Sequence, residues 1–440
     1  MASPLTVFLT TWNTGLQGSK AQEQDLSSWL IPVLHAQAAE KGAAVPDIYA
    51  IGVQELLPLH LAFAGLSTPV LIALTDRIQS LLSAHATSLS PTRVAEKFHL
   101  VKRVSHVGIA LWVFARESTT QGRLGKSLDA TVGLWHMGMG NKGAVGVRLP
   151  IMRGEKQGGW ETLTFVCAHL DAHDHNIGRR NMQYEAILSS LIFEPGDALH
   201  HRVQPFQSSH LFIMGDLNYR LERLPVAGVY PRELSDDLAS LEKERAALVQ
   251  LDTLKREQDA GKVFGGMREG DLTRFAPTYK RIVGEIEGYS KKRIPGWTDR
   301  ILFASHTDTP DLYAPHSVAI AGDNTTHILE FRSTPQLTIS DHKPVHIVLS
   351  LPPVTHSAAS PITAPVLAPP LPPSRPRPAA RSREEILIAK IIGTLLDRLI
   401  GWPWTILVLL GFGNEKAGMG VSAFLAMVWS VWWSGVFASA

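Results

Sequence analysis

Along residues 1–351 the apolar positions fall into two rhythms. Short runs, unbroken or alternating, predict strands at 5–11, 47–53, 107–114, 131–136, 144–149, 163–169, 211–214, 300–304 and 343–349. Recurrence at three and four predicts helices around 21–37, 70–84, 177–192 and 234–258. No repeat at a solenoid period is present. Strands outnumber helices and the two do not alternate regularly, so two stacked sheets with helices outside fit better than a regular parallel barrel.

The rhythm changes after Leu351. Ten of the 28 prolines lie between Pro352 and Pro378, a composition that packs no core and predicts an extended linker. The expected organisation is a globular unit over 1–351, a Pro-rich linker over 352–383 and a membrane-anchoring region over 384–440. In that region ILIAKIIGTLLDRLI, with Asp397 and Arg398, predicts an amphipathic helix. Residues 399–414 form a marginal apolar segment. Residues 417–440 are 24 positions without a charge, long enough to cross hydrocarbon, which takes roughly 20. Trp429, Trp432 and Trp433 cluster as interface anchors do, and Arg375, Arg377, Arg381 and Arg383 place the globular unit in the cytosol by the positive-inside tendency. The alternative is a hydrophobic hairpin packed on the globular unit. The pattern leaves one crossing or two open.

Composition narrows the classes. With 440 residues, 45% of them hydrophobic, the chain can bury a sizeable core. A net charge of +2 argues against a broad electrostatic footprint for duplex nucleic acid. The single cysteine, Cys167, allows no internal disulfide and suits a reducing compartment. MASPLTVFLTTWN reads as a first strand rather than a signal peptide.

Candidate chemistry sits where the strands stop. LFIMGDLNYR runs four apolar residues into Asp216 and Asn218. Other strand ends carry Asn13, Glu55, His169 and Asp171, while Asp299 opens one late strand and Asp341 and His342 precede the last. Each singly is also a turn or a cap. Together they suit metal-assisted hydrolysis of a phosphate ester, because oxygen donors such as Glu55, Asn13 and Asp341 match a hard cation such as Mg²⁺. No HExxH or CxxC favours zinc. The sixth residue after Cys167 is His173 rather than arginine, so a cysteine-phosphatase loop is absent and the nucleophile must be water. Glycines around Asn141 and Lys142 let backbone approach an anion, or make a hairpin turn. Tyr279, Lys280 and the basic cluster Lys291, Lys292, Arg293 and Arg300 flank Asp299.

TWN, GVQE, GMGNKGAV, FVCAHLDAH, GDLNYR, PTYK, PGWTDRIL and SDHKP stand in the order that resembles the inositol polyphosphate 5-phosphatases, part of the exonuclease, endonuclease and phosphatase group. With its linker and hydrophobic end the chain most resembles tail-anchored fungal members that act on phosphatidylinositol 4,5-bisphosphate at the endoplasmic reticulum. The resemblance implies an α/β fold, a four-layer α/β/β/α sandwich like that of DNase I, with Mg²⁺ as cofactor. It implies that Glu55 and Asn13 hold the metal with Asp341 adjacent. His342, oriented by Asp299, contacts the scissile phosphate; Asp216, supported by Asn218, activates or positions water; His169 donates to phosphate oxygens. Asn141, Lys142, Tyr279, Lys280 and Arg293 read the ring phosphates. Gly296 and Thr298 replace the family's more frequent alanine and cysteine, and Cys167 and Ala168 replace a small polar pair. The expected activity is removal of a phosphoinositide 5-phosphate by a monomeric domain, with no nucleic-acid partner. Soluble inositol 1,4,5-trisphosphate is the second substrate, a nuclease the more distant alternative, and a tethered binding module the non-enzyme one.

Overall fold

Strand β1 (Leu5–Asn13) is buried from end to end. Its alternation sends Leu5, Val7 and Leu9 to one face and Phe8 and Trp12 to the other, and both faces are covered. The structure, a computed structural model, describes residues 4–34, 45–90, 94–153, 159–195, 202–224, 226, 228–310, 318–319, 325–369 and 377–438.

In one six-stranded sheet the order is β13 (His327–Ser333), β14 (Val345–Leu351), β1, β2 (Ile48–Gln54), β4 (Ile109–Arg116), β3 (Phe98–His106). In the other it is β5 (Leu128–Gly133), β6 (Gly143–Met152), β7 (Trp160–His169), β8 (His210–Asp216), β10 (Asp299–Ser305), β9 (Arg268–Glu269). Each sheet has one parallel pair, β1 with β2 and β7 with β8. A separate two-stranded ladder joins β11 (Thr309–Pro310) to β12 (Val318–Ala319).

Three apolar clusters define the layers. Val7, Leu111, Val145, Phe165, Met214 and Ile347 interdigitate between the sheets. The outer face of the first sheet packs Tyr49 and Trp112 against Leu74 and Ile78 of helix α2 (Thr68–Leu89), which follows α1 (Leu59–Ala64). The outer face of the second packs Ile213 and Leu302 against Tyr184 and Ile187 of α3 (Ile177–Ser190). This is the expected four-layer α/β/β/α sandwich. Cys167 lies between the sheets, where burial pushes its thiol up to about 12 and leaves it inert.

Three expectations are corrected. The continuous helix over 21–37 is a 3-10 turn plus the short helix Ser27–Leu30 within its described part, residues 21–34; Pro32 denies the helix a donor and disfavours helical backbone before it. The rest lies outside the described residues. The helix over 234–258 is two, α4 (Leu238–Val249) and α5 (Thr253–Asp259), because Asp252 accepts the Lys255 N–H and starts a new one. The strand at 131–136 is shifted to Leu128–Gly133. Strands β3 and β13 escaped the pattern. Both are sheet edges, whose outward residues such as Lys102, Arg103 and His327 carry the polarity that guards an edge and blurs its periodicity.

The chain after β14 does not leave the domain at once. Pro352 O accepts from Arg153 Nη2 at 2.7 Å, Ala358 O from Trp160 N at 3.0 Å and Pro365 O from Ser209 Oγ at 2.7 Å. Extended proline-rich backbone keeps its carbonyls free for such donors. Buried Glu161 anchors the same region, gathering Arg153, His210, His306 and His356 within 2.7–3.4 Å.

Ser382 and Glu385 form a capping box that starts α6 (Arg383–Leu410). The amphipathic segment and the marginal apolar one, as far as Leu410, are thus a single helix. Pro403 sits inside it and removes only the hydrogen bond to the carbonyl of Leu399. Helix α7 (Glu415–Ala438) follows. Among the described residues α6 is the helix long and apolar enough, by length and composition, to cross a membrane.

Candidate active site

Strand register assembles the chemistry. His169 on β7 is opposite Asp216 on β8, and Asp216 is opposite Asp299 on β10, so three neighbouring strands about 4.8 Å apart present imidazole and two carboxylates side by side. In the facing sheet Asn13 ends β1, and Asp341 and His342 precede β14. The sheets meet where Asn13 Nδ2 donates to Asp216 Oδ2 at 2.9 Å.

Backbone conformation marks the same ends. Gly215 has φ 146°, and a Cβ there would lie 1.8 Å from the carbonyl oxygen of Ala168, so no side chain fits. Glu55 and Asn218 hold φ of 50° and 56°, a left-handed conformation that asparagine tolerates and glutamate adopts under strain. The carbonyl of Glu55 is pinned by Thr14 Oγ1 at 2.6 Å, and its carboxylate lies 3.8 Å from His169 Nε2.

Asp216 is 1% exposed. Burial opposes its charge, but the His342 and His169 imidazoles and the Lys142 ammonium outweigh that and hold the carboxyl well below the usual range. The Asn218 N–H donates to its other oxygen at 3.1 Å. His342 Nδ1 donates to Asp299 Oδ2 at 2.9 Å, and that oxygen also accepts from Thr278 Oγ1 at 2.6 Å and Thr298 Oγ1 at 2.9 Å. Burial works against an imidazolium, yet Asp299, Asp216 and Asp341 outweigh it and push His342 up to about 9. At neutral pH His342 is therefore a cation with its Nε2 3.9 Å from Asp216 Oδ2.

Lys142 is buried, which lowers its pKa against the pull of Asp216, Glu55 and Asp171. Its Nζ contacts His169 Nε2, and the same ring nitrogen lies 3.3 Å from Asp216 Oδ2. One nitrogen cannot accept from the ammonium and donate to the carboxylate at once. A ligand atom entering among the three would relieve one of the two contacts. At the rim Lys280 Nζ donates to Asp341 Oδ2 at 2.6 Å. Burial opposes the charge of Lys280, and Asp341 and Tyr279 raise its pKa regardless.

The structure thus gathers Asn13, Glu55, Lys142, His169, Asp216, Asn218, Tyr279, Lys280, Asp299, Asp341 and His342, with Asn141 half-buried beside Lys142. Arg293 is exposed and bonds none of them. Arg300, read from sequence as part of the basic cluster, is instead 2% exposed and paired with Asp252 and Glu269. Sequence reasoning missed Thr278 and Arg220. Thr278 precedes Tyr279 in PTYK, and Arg220 closes GDLNYR, donating to Asn218 Oδ1 at 3.2 Å and lying 4.7 Å over the Tyr279 ring. Position within those motifs was the available signal.

The pattern of the Endonuclease/Exonuclease/phosphatase family 2 matches residues 10–348. The chain is 31% identical over 347 residues to the type II inositol 1,4,5-trisphosphate 5-phosphatase of Mus musculus and 25% identical over 367 residues to synaptojanin-2 of Homo sapiens. These alignments cover 78% and 79% of this chain but 29% and 22% of those proteins. Among solved structures it resembles the inositol polyphosphate 5-phosphatase domain of SPsynaptojanin in complex with inositol (1,4)-bisphosphate and calcium ion, with TM-score 0.57, 22% identity and coverage of 91% of this chain and 92% of that one. It also resembles the Cimex nitrophorin ferrous NO complex, with TM-score 0.51, 21% identity and coverage of 80% and 100%. A fold shared with a nitrophorin carries no chemistry by itself; the convergent side chains do. The sandwich, the convergence at its strand ends and the match over most of its length together place this chain in the Endonuclease/Exonuclease/phosphatase family 2.

Proposed function

We propose that the chain is a Mg²⁺-dependent phosphomonoesterase that removes the 5-phosphate of a phosphoinositide, converting phosphatidylinositol 4,5-bisphosphate to phosphatidylinositol 4-phosphate at a membrane surface. The observation that carries this is the Asp216, Asp299, His342, His169 and Lys142 cluster, in which fixed anions and cations alternate where the strand ends converge. The relatives named 5-phosphatases support the reaction class. The SPsynaptojanin ligand, phosphorylated at positions 1 and 4, fits the product side of such a reaction.

The donor set suits a hard cation. Glu55, held by a strained backbone beside the cluster, offers a carboxylate. Asn13 offers the second lone pair of an Oδ1 that already accepts the Gly15 N–H at 3.0 Å, and Asp341 lies adjacent. Among the described residues three ligand groups come within 4.8 Å of one another only at Glu161, His306 and His356, which is consistent with a magnesium ion that retains waters and borrows substrate oxygens. Bound there, Mg²⁺ would neutralise charge on the phosphoryl oxygens.

The chain's own residues divide the remaining work. Asp216, firmly ionised, accepts a hydrogen bond from water and orients it; so acidic a carboxylate is a weak base. His342, a cation held by Asp299, meets a phosphate oxygen, and Lys142 and His169 meet others as charge develops. In sum, water adds across the phosphorus–ring oxygen bond, its oxygen going to phosphorus and one proton to the ring oxygen. Lys280 reads the 4-phosphate, with Tyr279, Asn141 and Arg293 around the ring. We place the domain as a monomer on the cytosolic side of a membrane, with the endoplasmic reticulum as its address. Soluble inositol 1,4,5-trisphosphate is the second reading, favoured by the name of the murine relative.

The test is the full chain in lipid nanodiscs with Mg²⁺, offered each phosphoinositide, soluble inositol phosphates and an abasic DNA duplex. Phosphate release from 5-phosphorylated substrates alone is expected, faster from phosphatidylinositol 4,5-bisphosphate than from the soluble inositol phosphates. DNA nicking, or unchanged rates in Asp216→Asn and His342→Ala, would overturn the assignment.

A further inference from the structure

Helix α6 has two unlike faces. Gly393, Asp397, Gly401 and Thr405 recur at every fourth position and are the buried ones. They touch the domain beside the site. A Cβ on Gly393 would fall 2.1 Å from the Gly138 oxygen, and one on Gly401 would fall 2.3 Å from the Ala64 nitrogen. Arg398 Nη1 donates to the carbonyl of Phe63, and Thr405 Oγ1 donates to that of His60 at 3.1 Å. Asp397, 2% exposed, accepts the Gly140 N–H at 3.2 and 3.3 Å. Gly140 is the residue before Asn141 and Lys142, so a buried carboxylate of the helix grips the loop that enters the active site.

The opposite face is apolar. Ile388, Ile391, Leu395, Leu399, Trp402 and Ile406 follow at threes and fours and are 47–68% exposed, a stripe that water does not favour. Contacts with the domain run from Ala389 to Thr405, about 24 Å of helix. A helix fastened to a soluble domain over that length cannot also span a bilayer. It can lie on one with its apolar face in the hydrocarbon boundary. The stripe leads directly into α7, which is uncharged from Ala417 to Ala438, so the same bilayer is the occupant continuous with it.

We propose that α6 is a surface-lying strut: through Asp397 it holds the Gly138–Gly140 backbone so that Asn141 and Lys142 face the substrate phosphates, and through its apolar stripe it rests on a lipid bilayer, presenting the site to headgroups. Asp397 is a positioning residue, since it touches no reacting atom. The inference rests on reading the site as a phosphate-ester hydrolase.

The full chain in phosphatidylcholine nanodiscs tests it. Asp397→Ala is expected to raise KM for soluble inositol 1,4,5-trisphosphate by about fivefold or more, a usual size for coupled sites, with kcat within about twofold. It should also speed deuterium uptake across residues 134–145. Asp397→Asn keeps an acceptor oxygen and is expected to restore both, whereas Gly393→Leu, which wedges the helix away, should reproduce the alanine effect. Leu395→Glu combined with Leu399→Glu should cut turnover of phosphatidylinositol 4,5-bisphosphate carried in the same nanodiscs about tenfold or more and leave the soluble substrate unchanged. Unaltered KM and uptake in Asp397→Ala would overturn the positioning role, as would equal damage in Asp397→Asn. An equal loss on both substrates in the glutamate pair, or a change of oligomeric mass without a change in their ratio, would overturn the bilayer contact. A wild type that cleaves neither substrate would defeat the hydrolase reading, while deuterium uptake would still decide whether Asp397 holds the loop.

Discussion

Asp299→Asn exchanges one oxygen for nitrogen at the residue that holds His342. Asp299 Oδ2 takes three donors, from Thr278, Thr298 and His342, and its Oδ1 is buried without a partner. If the amide oxygen keeps the three donors, its NH₂ is buried unsatisfied, costing about 1–3 kcal/mol. If the NH₂ faces His342, Nδ1 must accept, and the ring proton moves to the nitrogen that faces Asp216. Either way the strongest electrostatic support of the imidazolium is gone. A return of its pKa from about 9 toward the ordinary 6.5 is about 3.4 kcal/mol of lost preference for the charged form. Activity that needs the imidazolium falls as pH rises through that pKa. At about pH 7.5 the variant keeps roughly a tenth of its His342 charged, a tenfold loss that acidification to about pH 5.5 restores. The misplaced ring should cost about a further 100-fold that pH does not restore. The assay is phosphate release with Mg²⁺ between about pH 5.5 and 9, alongside thermal melts. An alkaline limb unmoved from that of the wild type, or a rate within about threefold of it at every pH, would refute this account of His342.

Other positions give independent checks. His346 is fully buried on β14, 5.2 Å from the Phe8 ring, and burial together with Arg332 drives its pKa down to about 3. The unfolded chain therefore takes up its proton first as pH falls below 6.5, and stability should drop by about 2 kcal/mol by pH 5. His346→Phe should remove that slope in urea melts at the two pH values, and an identical slope would count against it. Arg300→Met strands Asp252 and Glu269 in the interior and should destabilise by about 3–5 kcal/mol, read from urea midpoints; a loss below about 1 kcal/mol would contradict the buried triad. Chelation should stop turnover. Glu55→Gln should raise the Mg²⁺ needed for half-maximal rate by about tenfold or more, and an unshifted metal titration would remove Glu55 from the metal-holding set.

Much of the fold was legible because central strands alternate or run apolar without a break. β1, β2, β7 and β8 were found that way; β1, β7 and β8 end on Asn13, His169 and Asp216, and Glu55 follows β2 directly. The edge strands β3 and β13 were not, since half of each edge faces water and its polar residues obey no period. Site residues were legible where a motif is unusual in sequence, as in GDLNYR and SDHKP. Thr278 and Arg220 were harder to see, because they act by holding Asp299, Asn218 and Tyr279 rather than by standing out.

Residue order alone settled the layered class and the apolar character of the chain after the prolines, and it pointed to the strand ends as the candidate site. Those properties are local: a period, a side-chain type or a run of composition is complete within a few neighbouring residues. Tertiary structure decided the rest. It placed Asn13 against Asp216 across 203 positions, gave His342 its charge through Asp299, turned Arg300 inward and seated Asp397 on the loop of Lys142. Each depends on which distant strand or helix comes to lie alongside, and a pKa or a hydrogen bond exists only once that neighbour has displaced water.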